Sequence, residues 1–289
     1  MAFLPLRPVP LPAQTEALYD EWLGAIDEAL DDPAVDRNDL CREILEDLYG
    51  VAGEDGRPPA PGRRLPRTGD ILRAQLDPRN VALEPEFYHE TAPDRYARVK
   101  PLLWLWEMFD RSPVGENVPL GIRFRRLLAR RIFRSCGRNF KAFPHVRLTF
   151  GYNLDVGDDV VVHRHVLLDD RGGIELHDGC SISDFANIYS HTHDLVDGRE
   201  VRNRPTVLER GVRVTYHATI LAGTRVGLDA MVGAGAILTR DAQPRGVYIG
   251  VPARLAKQKD GAALEQRAPA TPDPLRDEPA PLRNEDAGE

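Results

Sequence analysis

From Leu208 to Gln243 an aliphatic residue returns at every sixth position. Read in sixes, the chain is LERGVR, VTYHAT, ILAGTR, VGLDAM, VGAGAI and LTRDAQ. Leu208, Val214, Ile220, Val226, Val232 and Leu238 open these hexads, and Val212, Ala218, Thr224, Ala230 and Ala236 fill the fifth place of the first five. The same phase runs upstream through FGYNLD, VGDDVV and VHRHVL from Phe150, and through LHDGCS, ISDFAN and IYSHTH from Leu176. At a frequency of roughly one in four, six required aliphatics in succession arise by chance on the order of once in several thousand.

A period of six is neither the 3.6 of a helix nor the 2 of a strand. It describes a chain that turns a corner every six residues, so that three sides close a triangular coil of roughly eighteen residues. Stacked coils pair their strands in parallel and bury a continuous interior. The predicted fold is mainly β, a left-handed parallel β-helix over residues 141–258. Sandwich turns, which come at irregular intervals of about 8–12 residues, do not fit. Two segments break the phase: Asp169–Glu175 (DDRGGIE), a small insertion, and Asp194–Val207 (DLVDGREVRNRPTV), a polar loop. Loops extruded from a rigid scaffold are where function concentrates.

Residues 1–140 read differently, as a mostly helical region. Leu18, Trp22, Ile26 and Leu30 recur at four-residue spacing, and Leu40, Ile44, Leu45 and Leu48 follow the same logic, which predicts two helices over 14–50. Asn38 is the expected N-cap and Gly50 the expected stop. Residues 51–69 are a Pro/Gly/Arg linker, and a helix carrying Trp104 and Trp106 is expected near 93–110. Residues 119–137 form a basic amphipathic helix, with Phe124, Leu127, Leu128 and Ile132 in one stripe and six arginines around it. Its arginines are either solvated beside a packed face or a surface for an anionic membrane or polymer. Residues 259–289 form a Pro/Ala/acid-rich tail whose composition predicts disorder.

Composition narrows the field. The net charge is −7, and the seven acidic and three arginine side chains of Ala262–Glu289 account for four of those charges, so the remainder is nearly balanced and argues against nucleic acid. Three separated cysteines without a CxxC pair indicate neither a disulfide framework nor a zinc ribbon and fit a cytoplasmic protein. The proline-interrupted N-terminus shows no signal peptide.

The stretch from Leu176 to Lys257 resembles the hexapeptide-repeat acyltransferases, in particular the maltose and galactoside O-acetyltransferase group. The resemblance is carried by ANIYSHTHD (186–194), VGAGAILTRD (232–241) and YIGVPARLAK (248–257); LLDDRGGIEL (167–176) is similar to a segment of polysaccharide O-acetyltransferases. It implies transfer of acetyl from acetyl-CoA to a hydroxyl of a sugar or polysaccharide, in a homotrimer with sites between neighbouring solenoids and with no metal. Aligned on the hexad phase, the general base falls at His193; a neutral imidazole accepts a proton near neutral pH. His191, two residues away, is expected on the same face, to orient His193 or contact the acceptor. His163 stands where sugar acetyltransferases carry an acceptor-binding asparagine. Asp170 is a candidate acceptor contact or a turn-stabilising aspartate. The resemblance implies donor contacts from Ala234, Thr239, Arg240, Arg254 and Lys257, with backbone groups near Ala234–Gly235 on the pantetheine amide and basic side chains on the phosphates. Tyr216 replaces a small residue and either narrows that groove or stacks on a bound group.

Two other functions share this fold. His163, His165, His191, His193 and His217 suggest a γ-class carbonic anhydrase-like zinc protein, although its five-residue spacing between two histidines is missing. A non-catalytic solenoid scaffold is the third reading.

Overall fold

In a computed structural model the described residues are 9–51 and 68–261. The linker expected over 51–69 and the tail expected over 259–289 therefore fall largely outside the described residues. The chain divides into two compact units, Pro12–Gly121 and the segment from Ile122 onward, which also includes Val9–Leu11.

The first unit is helical: α1 (Ala13–Asp31), α2 (Arg37–Leu48), α3 (Thr68–Leu76) and α4 (Pro93–Arg111). Only the C-terminal half of the four-residue stripe of α1 lies on its buried face: Ile26 and Leu30 are buried together with Leu23, while Leu18 is exposed. Four residues advance the helix by about 400°, so such a stripe drifts by about 40° per step and Leu18 rotates into solvent. Asp36, not Asn38, caps α2: its carboxylate accepts the amides of Asn38 and Asp39 at 2.8 and 3.1 Å. Gly50 ends that segment in the left-handed region at φ 66°. In α4, Leu102, Leu105, Trp106 and Phe109 are buried, and the Trp104 indole donates to the Gln75 carbonyl at 2.9 Å.

The basic helix α5 (Val118–Ile132) leads into the second unit and stops short of the expected residue 137, because the chain enters its first strand at Ser135. Arg125, Arg126 and Arg131 are buried and donate to the carbonyls of Ala142, Phe140 and Leu127. Half of the expected basic surface is thus committed to internal carbonyls and cannot meet an anionic membrane or polymer.

The rest is a parallel β-helix with three faces. The first face stacks Ser135–Cys136, Leu154–Val156, Ile174–Leu176, Thr206–Leu208 and Arg225–Val226. The second stacks Lys141–Ala142, Val161–Val162, Ser181–Ile182, Arg213–Val214, Met231–Val232 and Gly246–Ile249, and the antiparallel strand Arg254–Gln258 closes it. The third stacks Arg147–Leu148, Leu167–Asp169, Asn187–Tyr189, Thr219–Ile220 and Ile237–Leu238. The hexad-opening residues fill the interior: Val162, Leu168, Ile182, Ile188, Leu208, Val214, Ile220, Val226 and Val232 are all 0% exposed. Burial of this kind stabilises by roughly 1.5–3 kcal/mol per aliphatic side chain.

One rule of the repeat was not in the hexad pattern. In most hexads the fourth residue turns the corner in the left-handed region: Asn139, His145, Asp159, His165, Phe185, His217 and Asp229, together with glycines such as Gly179, Gly211 and Gly235. That conformation costs a non-glycine residue roughly 1–2 kcal/mol. At the corner between the second and third faces, stacking offsets the cost. His145, His165, Phe185 and His217 form a column with ring centroids 4.8, 4.7 and 4.9 Å apart and planes within 15°.

Coil length is not uniform. Ser135 pairs with Asp155 and Asp155 with Glu175, so the first coils take 20 residues. Arg213 pairs with Met231 and Thr219 with Ile237, giving the expected 18. The coil between Ser181 and Arg213 takes 32. All the extra residues lie at the corner between the third and first faces. FGYNLD is part of this: Phe150 is buried, yet it belongs to a widened turn between Leu148 and Leu154 rather than to a flat side.

Candidate functional site

Three widened turns lie on successive coils at the third–first corner: Thr149–Asn153, Asp169–Gly173 and Ser190–Pro205. The last is an extruded hairpin in which His191 faces Asn203, Thr192 faces Arg202 and His193 faces Val201. Its base is pinned to the turn below. The Ser190 hydroxyl donates to the Asp169 carbonyl at 2.5 Å and accepts the Gly172 amide at 2.8 Å. Position 172 must be glycine, since a Cβ there would lie 2.2 Å from the Ser190 carbonyl oxygen and 2.6 Å from the Arg204 nitrogen.

His193 is exposed at the loop end of the hairpin's strand pair, opposite Val201. Its Nδ1 lies 2.8 Å from the Gly198 carbonyl, a contact in which Nδ1–H donates and which, in the neutral ring, leaves the lone pair on Nε2. His191 does share a face with His193, as alternation along a strand requires; their rings meet edge to face at 5.4 Å and 82°. On its other side His191 meets Tyr189 at 6.4 Å. Its Nδ1 lies 2.6 Å from Oδ2 of Asp169, whose side chain is 7% exposed. Asp194, the carboxylate adjacent to His193 in sequence, is committed elsewhere. It accepts the amides of Val196 and Asp197 and pairs with Arg202 at 2.7 Å, and those amide bonds hold its carboxyl below the ordinary value.

Asp170 is not an acceptor contact. It is 0% exposed, and its two oxygens accept the amides of Phe150 at 2.7 Å and Asn153 at 3.0 Å. Burial pushes its carboxyl up to about 6 against the opposing pull of those amides. It braces the widened turn of the coil below. The neighbour, Asp169, is the carboxylate that reaches His191, and strand parity was the signal for it: Leu168 points inward, so the next residue points out.

His163 lies at the other edge of the third face, stacked on Phe143 at 4.9 Å and 11°. Burial lowers its pKa and favours the neutral ring. Tyr216 and Ala234 share this second–third corner and are exposed, Tyr216 to 57%. The Gly235 amide donates to the Tyr216 carbonyl at 2.9 Å. Arg254 and Lys257 are exposed on the closing strand, opposite Ile249 and Val247. Thr239 and Arg240 are exposed at the third–first corner, two coils above the histidine pair. The structure therefore brings His191 and His193 together, and Tyr216 with Ala234, but sets the two groups on opposite edges of one face. The histidines considered for zinc are divided likewise, and among the described residues no group of three His, Cys, Asp or Glu side chains could hold a metal ion.

Proteins to which this chain is similar include acetyltransferases. The galactoside O-acetyltransferase of Escherichia coli (strain K12) is 25% identical over 173 residues, which cover 58% of this chain and 81% of that protein. The chain resembles the hexapeptide-repeat acyltransferases. Among solved structures, a maltose O-acetyltransferase from Clostridium difficile 630 superposes with a TM-score of 0.51 at 22% identity, over 58% of this chain and 88% of that one. A galactoside acetyltransferase in complex with coenzyme A gives 0.51 at 22% identity, over 60% and 84%. No protein-family model matches the chain.

Proposed function

We propose that this protein transfers an acetyl group from acetyl-CoA to a hydroxyl of a sugar or polysaccharide, with His193 as general base. The observation that carries the reading is the His193 imidazole, anchored through Nδ1–H to the Gly198 carbonyl with Nε2 free at an exposed corner. In that tautomer Nε2 takes the proton of the acceptor hydroxyl as its oxygen attacks the thioester carbonyl carbon. The tetrahedral intermediate collapses with cleavage of the carbon–sulfur bond. The imidazolium returns its proton to the departing CoA sulfur, and base and acyl balance are restored. Tyr216 and Ala234 line the donor's path in this reading, and Arg240, Arg254 and Lys257 meet its phosphates.

Because His193 and Tyr216 occupy opposite edges of one face, a single chain offers half of each site. A homotrimer, in which the base of one solenoid faces the donor corner of the next, completes it. Free-CoA release from acetyl-CoA, measured with the full-length protein against mono- and oligosaccharides, serine and simple amines, tests the proposal. Saccharide-dependent release by a trimer is expected. Release with amines alone, or full activity from a monodisperse monomer, overturns it. The separated cysteines, all free and each pushed up to about 12 by burial, suit a reducing cytoplasm where acetyl-CoA is at hand.

A further inference from the structure

The third–first corner holds a carboxylate to which the proposed reaction assigns no part. Asp169 ends the strand Leu167–Asp169 and pairs in register with Tyr189, two residues before His191. Its side chain is 7% exposed and that of His191 is 16% exposed, with Oδ2 and Nδ1 2.6 Å apart. The carboxylate oxygen and the imidazole nitrogen are thus in direct contact in a nearly buried setting. The other oxygen, Oδ1, faces the Arg171 amide at 3.4 Å, within a turn that Ser190 and Gly172 tie to the hairpin base. The carboxylate is therefore part of the scaffold, not of the loop.

His193 is anchored otherwise. Its Nδ1 partner is the carbonyl of Gly198, in an exposed loop with open space around that glycine. A base held only by a loop carbonyl has its ring plane set by whatever the loop does. The rigid neighbour is His191, wedged between Tyr189 and His193 with Asp169 behind it. In a corner this dry, a carboxylate–imidazole contact is worth more than it is in water. Asp194 cannot substitute, because the turn amides and Arg202 already engage it.

We propose that Asp169 is a positioning residue: it holds the His191 imidazole, and the His191 ring in turn fixes the plane of His193. The inference rests on His193 acting as the base. Its test uses the full-length protein, acetyl-CoA and a saccharide that supports CoA release. Asp169→Asn keeps the volume and removes the charge; it should lower kcat about tenfold while leaving KM for acetyl-CoA within about twofold. His191→Phe keeps a flat ring in the gap but removes the nitrogen that Asp169 holds, so adding Asp169→Asn to it should change kcat little. Imidazole nitrogen resonances of His193, read by NMR in the unliganded protein, should move in Asp169→Asn. Wild-type kcat in Asp169→Asn, losses that multiply in the double variant, or unmoved His193 resonances each overturn the proposal. Because the resonances are read without turnover, they report on the positioning even if His193→Ala proves active and the base assignment itself fails.

Discussion

The two edges of the third face are built from the same hexads and do opposite things. At the second–third corner every coil turns in register, and the left-handed positions of successive coils carry His145, His165, Phe185 and His217 as one stacked column. At the third–first corner three coils in succession run over length, and the side chains do not stack in register. They converge, with Asp169 from one coil reaching His191 of the next and His191 meeting His193 at a right angle. A regular corner repeats one environment along the axis and stabilises it. Where the repeat is broken, side chains of successive coils converge rather than stack, as Asp169 and His191 do.

The comparison can be broken first at His193. His193→Ala should lower acetyl transfer by at least about 10²-fold, with the melting temperature and CoA binding retained. Initial rates, thermal unfolding and CoA titration on one preparation check it. The regular scaffold should respond in the reverse sense. Ile220, 0% exposed inside the third face, contributes packing alone; Ile220→Ala should cost about 2–5 kcal/mol in denaturant unfolding while activity per folded molecule persists. A smaller loss is expected in the column. Phe185→Ala removes two ring contacts at 4.7 and 4.9 Å, worth about 0.5–1.5 kcal/mol each, and leaves a non-glycine residue in the left-handed region without stacking.

The smallest effect sharpens the contrast between Asp169 and Asp170. The folded-state pKa of Asp170, about 6, stands above the ordinary 3.8, so the native state binds the extra proton between those values. Stability from this group is present below pH 3.8 and declines as pH rises through about 6. Asp170→Asn, which cannot ionise, should compare with the wild type more favourably at pH 7.5 than at pH 4. Melting curves across that range check it, and a difference independent of pH would contradict the buried-carboxylate account.

Much of this was legible before any coordinates. The hexad phase located the interior aliphatics and the extruded loop, because an interior position recurs at fixed spacing and leaves a mark on every coil. Asp169 was passed over for Asp170, although both stand in one DDRGG turn, since the choice depends on which carboxylate the widened turn swallows. The widening at Thr149–Asn153 leaves no mark in the sequence, because Phe150 is apolar and buried and so imitates a hexad opener. The buried arginines of α5 read as surface charge, since no pattern in the sequence marks the carbonyls of Phe140 and Ala142 as their partners.

By itself the sequence determined the β-helix, its phase and the place where that phase fails, because burial of one aliphatic per side is a local requirement repeated many times. Only the tertiary structure decided which groups meet at the failure. Asp169 comes from one strand and the His191–His193 pair from another, and the contact between them follows from the stacking of coils of unequal length, a sum over the whole corner that no single hexad encodes.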